Sequence, residues 1–241
     1  MWLDFSVKRA VKYRRPVMLV AVSTSVPQYR PLYSQGRELA DYLLDKMKFE
    51  EVAVMHSSAF PPEVRVREDG ASSLLSCKFY VNRGARDLLL FAGDSSPMED
   101  QFEVTRMVLS FAKRAGVKEL YSVGARWAEN PVPQFQDAQV NGFASDVAGV
   151  KALKEHGVKI LEAEPAPFFA SLVVGMAMEY GIRGYKISVD HGEPSPHPRS
   201  VVRMLEVLTS MIGFHVNLDD LKAQITEPPP AKVPDASTIY H

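Results

Sequence analysis

Cysteine is almost missing from this chain of 241 residues: Cys77 stands alone. No internal disulfide can form and no zinc site can rest on thiolates, which points to a reducing compartment and to Cys77 as a small buried hydrophobe. No charge of one sign dominates either. The 28 Lys plus Arg face 29 Asp plus Glu, a formal net charge of -1, so no cationic field gathers phosphates and a nucleic-acid partner is not expected. Long apolar runs are absent as well. No stretch approaches the roughly 18 apolar residues of a membrane span. The opening Met1 to Pro16 mixes Trp2, Leu3 and Phe5 with Lys8, Arg9, Lys12, Arg14 and Arg15 and lacks the apolar core of a signal peptide. Walker-type loops, dinucleotide glycine fingerprints and hydrolase nucleophile elbows are also missing, so no cofactor is expected. Together these absences describe a cytoplasmic protein that meets neither membrane nor nucleic acid.

What is present is an ordinary globular balance, 46% hydrophobic and 24% charged residues, enough for one substantial core without metal or disulfide support. Residues 1–226 read as a single domain and 227–241 as a tail. Val17 to Val22 and Leu88 to Ala92 are nearly continuous apolar runs, the pattern of strands covered on both faces. Between them Leu39, Leu43, Leu44 and Met47 form one helical stripe, and Val52 to Met55 reads as another strand. Val64 and Val66 alternate with Arg65 and Arg67, Asp69-Gly70 supplies a turn, and Leu74 to Val81 is rich in apolar residues, which together predict an antiparallel hairpin.

The second half repeats one junction four times: Gly116-Val117-Lys118, Gly157-Val158-Lys159, Gly181-Ile182-Arg183 and Gly213-Phe214-His215. Each glycine follows a helical pattern and precedes a hydrophobe that can fold back on the last turn, so four helices are predicted to stop there. Ser96-Pro97-Met98-Glu99 reads as a capping box opening a helix whose buried stripe is Phe102, Met107, Val108, Phe111 and Ala115. Another helix follows Pro198, with Val201, Met204, Leu205, Leu208, Met211 and Ile212 on its apolar stripe. Strands are predicted at Leu120 to Val123, Lys159 to Leu161 and Tyr185 to Val189. This alternation implies an α/β protein, a three-layer α/β/α sandwich with a mainly parallel sheet.

Three constellations could carry function. The Pro-rich segment Glu227 to Thr238 cannot form a helix or a central strand; its 12 residues at the polyproline rise reach about 37 Å. Its tip, Ile239-Tyr240-His241, offers an apolar anchor, an amphipathic ring and a carboxylate to a groove on another molecule. Asp190-His191-Gly192-Glu193-Pro194-Ser195-Pro196-His197 follows a predicted strand and groups two imidazoles with two carboxylates. Either it does turn and cap work, or His191 serves as a base and His191, Glu193 and His197 hold a metal. Gly93-Asp94-Ser95-Ser96 at a strand end could cradle an anion, or its serines could simply cap a helix. Trp127 to Pro133 and the turn dipeptide Asn141-Gly142 lie after a strand, and the sequence does not decide their role. The basic residues near the start read as a solvated face, as do Glu162 and Glu164.

From Arg86 to about Gln224 the chain resembles the proteasome-assembly-chaperone family of the second-chaperone type. The resemblance is carried by Leu88-Leu89-Leu90-Phe91-Ala92-Gly93, Ala115-Gly116-Val117-Lys118, Met176-Ala177-Met178-Glu179-Tyr180-Gly181-Ile182, and His197-Pro198 leading to Leu205-Glu206-Val207-Leu208. Val216-Asn217-Leu218-Asp219-Asp220-Leu221 completes it. It implies a phosphorylase-like α/β/α fold and a non-enzymatic chaperone, adaptor or activator that works as a homo-oligomer. Some archaeal relatives end in a hydrophobic-tyrosine-any motif, which Ile239-Tyr240-His241 matches. The resemblance then implies docking into pockets of the proteasome core particle's alpha ring, the terminal carboxylate meeting a lysine. Pro165-Ala166-Pro167-Phe168-Phe169 departs from the glycine-rich pattern of many relatives, so a shared ligand cleft is reshaped here. Two other functions stay open on the residues alone: a small phosphorylase- or hydrolase-like enzyme using Asp190 to His197, and a metabolite-binding module using the cleft near Gly93.

Overall fold

Apolar runs became strands and the amphipathic segments between them helices. A computed structural model of the protein describes residues 1–23, 35–93, 95–127, 139–162, 165–191 and 198–225. In chain order the elements are β1 (Leu3–Val7), β2 (Val17–Val22), α1 (Gln35–Lys46), β3 (Phe49–Ser57), β4 (Val64–Val66), β5 (Ser72–Leu74), β6 (Cys77–Asn82) and β7 (Leu88–Gly93). There follow α2 (Gln101–Ala115), β8 (Glu119–Trp127), β9 (Val140–Ala144), α3 (Val147–Glu155), β10 (Lys159–Ile160), α4 (Phe169–Ala177), β11 (Arg183–His191), α5 (Pro198–Ile212) and α6 (Asp219–Ala223).

Nine strands make one sheet in the order β1-β3-β6-β7-β2-β8-β11-β9-β10, and β4-β5 is a separate hairpin. The four central strands, β7, β2, β8 and β11, run parallel, as helical crossovers require. The flanks do not. At one edge β1, β3 and β6 add antiparallel strands, and at the other β9 runs antiparallel to β11 with β10 parallel to β9. The connection of residues 83–87 between β6 and β7 is too short for a crossover, so it must reverse the chain.

Because side chains alternate across a strand, β2 sends Leu19 to one layer and Met18 and Val20 to the other. On the first face α1, α3, α5 and α6 pack Leu39, Leu43, Leu153, Leu205, Leu208 and Leu221 against Leu19, Tyr121 and Ile187. On the second, α2 and α4 pack Val104, Val108, Phe169 and Val173 against Met18, Val20 and Leu120. Phe79 anchors this second layer, with ring centroids 4.7 Å from Phe91, 4.3 Å from Phe111 and 5.6 Å from Phe5. The expected three-layer architecture is therefore present. Among the described residues no helix is long and apolar enough to cross a membrane.

All four repeated glycines adopt the left-handed conformation, with φ of 85° at Gly116, 73° at Gly157, 70° at Gly181 and 82° at Gly213. Three close a Schellman-type end, in which Val117, Val158 and Ile182 donate to Ala112, Leu153 and Ala177 while burying their own side chains. Elsewhere local patterns misled. The stretch beginning at Ser96 does not open a helix: α2 starts at Gln101, and residues 96–98 instead hydrogen-bond to Ser23 and Ala59. Phe102 is accordingly 66% exposed, and Val104 and Leu109 take the buried positions expected of it. Asn141-Gly142 is not a turn but the middle of β9. The N-terminal segment is an edge strand whose Phe5 reaches the core, with Lys8 and Arg9 paired to Glu51 and Glu50 on β3. The hairpin forms at Val64 to Leu74, while Cys77 onward joins the main sheet.

The start of α3 gives a first testable point. Asp146 accepts from Gly149 N at 2.6 Å and pairs with Arg183 Nε at 2.8 Å, and these two partners hold its carboxyl below the usual range. Loss of this cap in Asp146→Ala is expected to lower stability by about 1–2 kcal/mol, read as a lower urea midpoint with an unchanged slope. Wild-type stability would show the cap to be idle.

Candidate functional site

The central strands end together, and a cavity of about 550 Å³ opens there. Its floor comes from Val22 at the end of β2 and Ser23 after it, Val123 to Arg126 of β8, and Lys186 and Ser188 of β11; its roof is the first turn of α4 with Pro165 to Phe168 before it. This is the crevice beyond the carboxyl ends of parallel strands, where open α/β sheets hold ligands. Residues opposite one another in the sheet share a face, and three rows climb toward the opening. Ser122, Lys186 and Phe143 form the lowest, Gly124, Ser188 and Asn141 the next, and Arg126 with Asp190 the highest.

Lys186 is 93% removed from solvent, since its relative exposure is 7%. It lies mid-strand between Tyr185 and Ile187, which face the opposite layer, so the alternation that buries those two aims Lys186 under α4. A Cβ at Gly124 would stand 3.1 Å from its Nζ; the missing side chain leaves room for the amine. Among the described residues Nζ has no hydrogen-bond or ion-pair partner, and desolvation pushes the amine down to about 7. Nearby, Ser122 Oγ and Asn141 Oδ1 are buried without partners among the described residues. At the rim Arg126 Nε meets Asp190 Oδ1 at 2.8 Å, with Nη2 3.4 Å from Oδ2.

Of the residues singled out from the sequence, Asp190 thus reaches the edge of the cavity, committed to Arg126 in a salt bridge. Ser95 is buried, its hydroxyl directed to Ser96 O at 3.3 Å and its carbonyl accepting from Cys77 Sγ at 3.4 Å; its neighbour Ser96 lines the cavity. Gly93 answers to packing, since a Cβ there would come within 2.3 Å of Cys77 Sγ. His191 ends β11 opposite Trp127. Asp94, Glu193, His197 and the tripeptide Ile239, Tyr240 and His241 lie outside the described residues. Among the described residues no three His, Cys, Asp or Glu side chains gather as metal ligands. Lys186 escaped the sequence reading, although a lone cation inside Tyr185-Lys186-Ile187-Ser188-Val189 on a fully covered strand was a visible anomaly.

A family model described as PAC2 family matches residues 35–227. The chain belongs to the PAC2 family. The match takes in the whole segment from Arg86 to Gln224 that carries the chaperone resemblance. An uncharacterised protein of Methanocaldococcus jannaschii is 20% identical over 190 residues, spanning 78% of this chain and 72% of its own. Among solved structures, PbaB of Pyrococcus furiosus, an archaeal proteasome activator, superimposes with a TM-score of 0.80 at 17% identity over 92% of this chain and 94% of its own. PbaA of the same organism, an archaeal homologue of proteasome-assembly chaperone, gives 0.71 at 18% identity over 92% and 86%. A proteasome-assembly chaperone homologue of Mycobacterium tuberculosis gives 0.70 at 17% identity over 87% and 91%. At these identities the likeness establishes that the PAC2 fold runs through nearly the whole chain.

Proposed function

We propose that this PAC2 protein is a non-enzymatic adaptor of the proteasome, an assembly chaperone or activator, that docks its C-terminal tripeptide into alpha-ring pockets of the core particle. The observation that carries the reading is the joint presence of a fold that superimposes on an archaeal proteasome activator along 92% of the chain and the residues Ile239-Tyr240-His241 following a proline-rich stretch of sequence. In this mechanism Ile239 is buried, the Tyr240 ring fills a pocket and hydrogen-bonds through its hydroxyl, and the carboxylate of His241 pairs with a cation. The protein acts in the cytoplasm as a homo-oligomer. Several arms then meet several pockets on one ring, and effective concentration converts weak single contacts into avidity.

Binding of isolated proteasome cores by the full chain and by a version lacking residues 239–241 tests the mechanism. The truncated chain is expected to bind at least about 30-fold more weakly, and Tyr240→Ala alone to lose about 2 kcal/mol, the scale of a buried aromatic hot spot. Equal binding by the full and truncated chains would rule out anchoring through the tail.

A further inference from the structure

We propose that the cavity under α4 binds a small organic acid with an apolar body, its carboxylate paired with Lys186. This rests on the cavity alone and is independent of how the tail is used. The walls are mostly apolar: Phe143, Leu161, Pro165, Pro167 and Phe168 line it, and its volume of about 550 Å³ suits a small molecule. Its polar features have one sign. Lys186 is buried, its Nζ has no hydrogen-bond or ion-pair partner among the described residues, and the nine-residue α4 directs its N-terminal turn into the same space with no side chain capping it.

Among the described residues no carboxylate is placed to balance them. β2, β9, α4 and residues 165–168 carry no charged residue, and α2, packed beyond α4, keeps Glu103, Arg106, Lys113 and Arg114 exposed. Glu162, beside Leu161 at the wall, is exposed too. Arg126 and Asp190 at the rim neutralise each other. A buried cation with no counter-charge is costly, and an incoming carboxylate supplies what the fold omits. One buried amine in an apolar chamber suits a monocarboxylate better than a phosphate, whose two charges and several oxygens need more donors. A carboxylate arriving beside a neutral amine draws one proton from solvent, and the amine becomes ammonium.

Full-length protein titrated calorimetrically with benzoate and hexanoate, beside benzamide, hexanamide and inorganic phosphate, tests the assignment at pH 6.5 and 9.0. Both acids are expected to bind and raise the melting temperature at pH 6.5, to bind at least tenfold more weakly at pH 9.0, and at pH 8 to take up close to one proton per acid bound. The amides and phosphate leave the protein unchanged, and Lys186→Met stays folded and loses the response to the acids. No binding of either acid at pH 6.5 overturns the proposal. So do amides that match the acids, phosphate binding in their place, or an undiminished response in Lys186→Met.

Discussion

Lys186→Met is expected to stabilise the protein by about 4 kcal/mol at pH 7, and the gain to fade as the solution is made alkaline. The amine titrates at 10.5 in an unfolded chain and at about 7 in the fold, where burial is the cause. Below pH 7 it is protonated in both states, and the fold bears the whole cost of burying an unpaired ammonium. Between pH 7 and 10.5 the unfolded chain holds a proton that the folded one has released, so wild-type stability climbs with pH by up to about 1.4 kcal/mol per pH unit. Above 10.5 the amine is neutral in both states and the cost has gone. Methionine fills a similar volume and does not titrate, so the two stability curves converge toward pH 10.5. Urea unfolding of both proteins at pH 7 and pH 10 measures the difference. A variant less stable than wild type at pH 7, or a gap that does not change with pH, would mean that Lys186 has a partner in solution and is not an isolated buried amine.

Gly142→Val is expected to cost about 3 kcal/mol or more through the opposite physics, an atom added where none fits. A Cβ at Gly142 would stand 2.3 Å from the backbone oxygen of Lys186 and 3.1 Å from Val158 Cγ1. The first obstacle is main chain, so β9 must move away from β11, and the ladder from Val140 to Ala144 weakens with it. Gly175 on α4 is the matched control, since a Cβ there meets nothing within 4 Å and Gly175→Ala leaves stability equal or slightly higher. Thermal unfolding of the pair decides the matter: if Gly142→Val melts with Gly175→Ala, the strands do not approach as closely as described. Displacing β9 also removes Phe143 from the cavity wall, so acid binding should fall in any Gly142→Val protein that still folds.

The elements that were legible in advance share one property: their evidence is local. Val17 to Val22 and Leu88 to Gly93 are buried on both faces, and no exposed residue interrupts the apolar run. Gly116, Gly157, Gly181 and Gly213 could be read as helix ends because a left-handed residue is a requirement of the backbone itself. Ser96-Pro97-Met98-Glu99 failed for the reverse reason. Its capping chemistry is sound in isolation, but backbone bonds from residues 96 and 98 to Ser23 and Ala59 hold it extended, and only the fold brings those acceptors near. Asn141-Gly142 failed in the same way. The glycine serves a close crossing of two strands that lie more than 40 positions apart in the chain.

The chain's order of residues determined most of the strands and helices, where four helices stop, and that the architecture is α/β in three layers. Tertiary structure alone decided that the sheet's flanks run antiparallel, that Asp190 is spent on Arg126, and that Ser122, Lys186, Ser188 and Asn141 share one face of the sheet. The physical reason is range. Backbone preference and hydrophobic period act over a few residues, whereas a buried amine acquires its chemistry from the strands and the helix that exclude water around it, and the neighbouring strands β8 and β9 lie far from it along the chain.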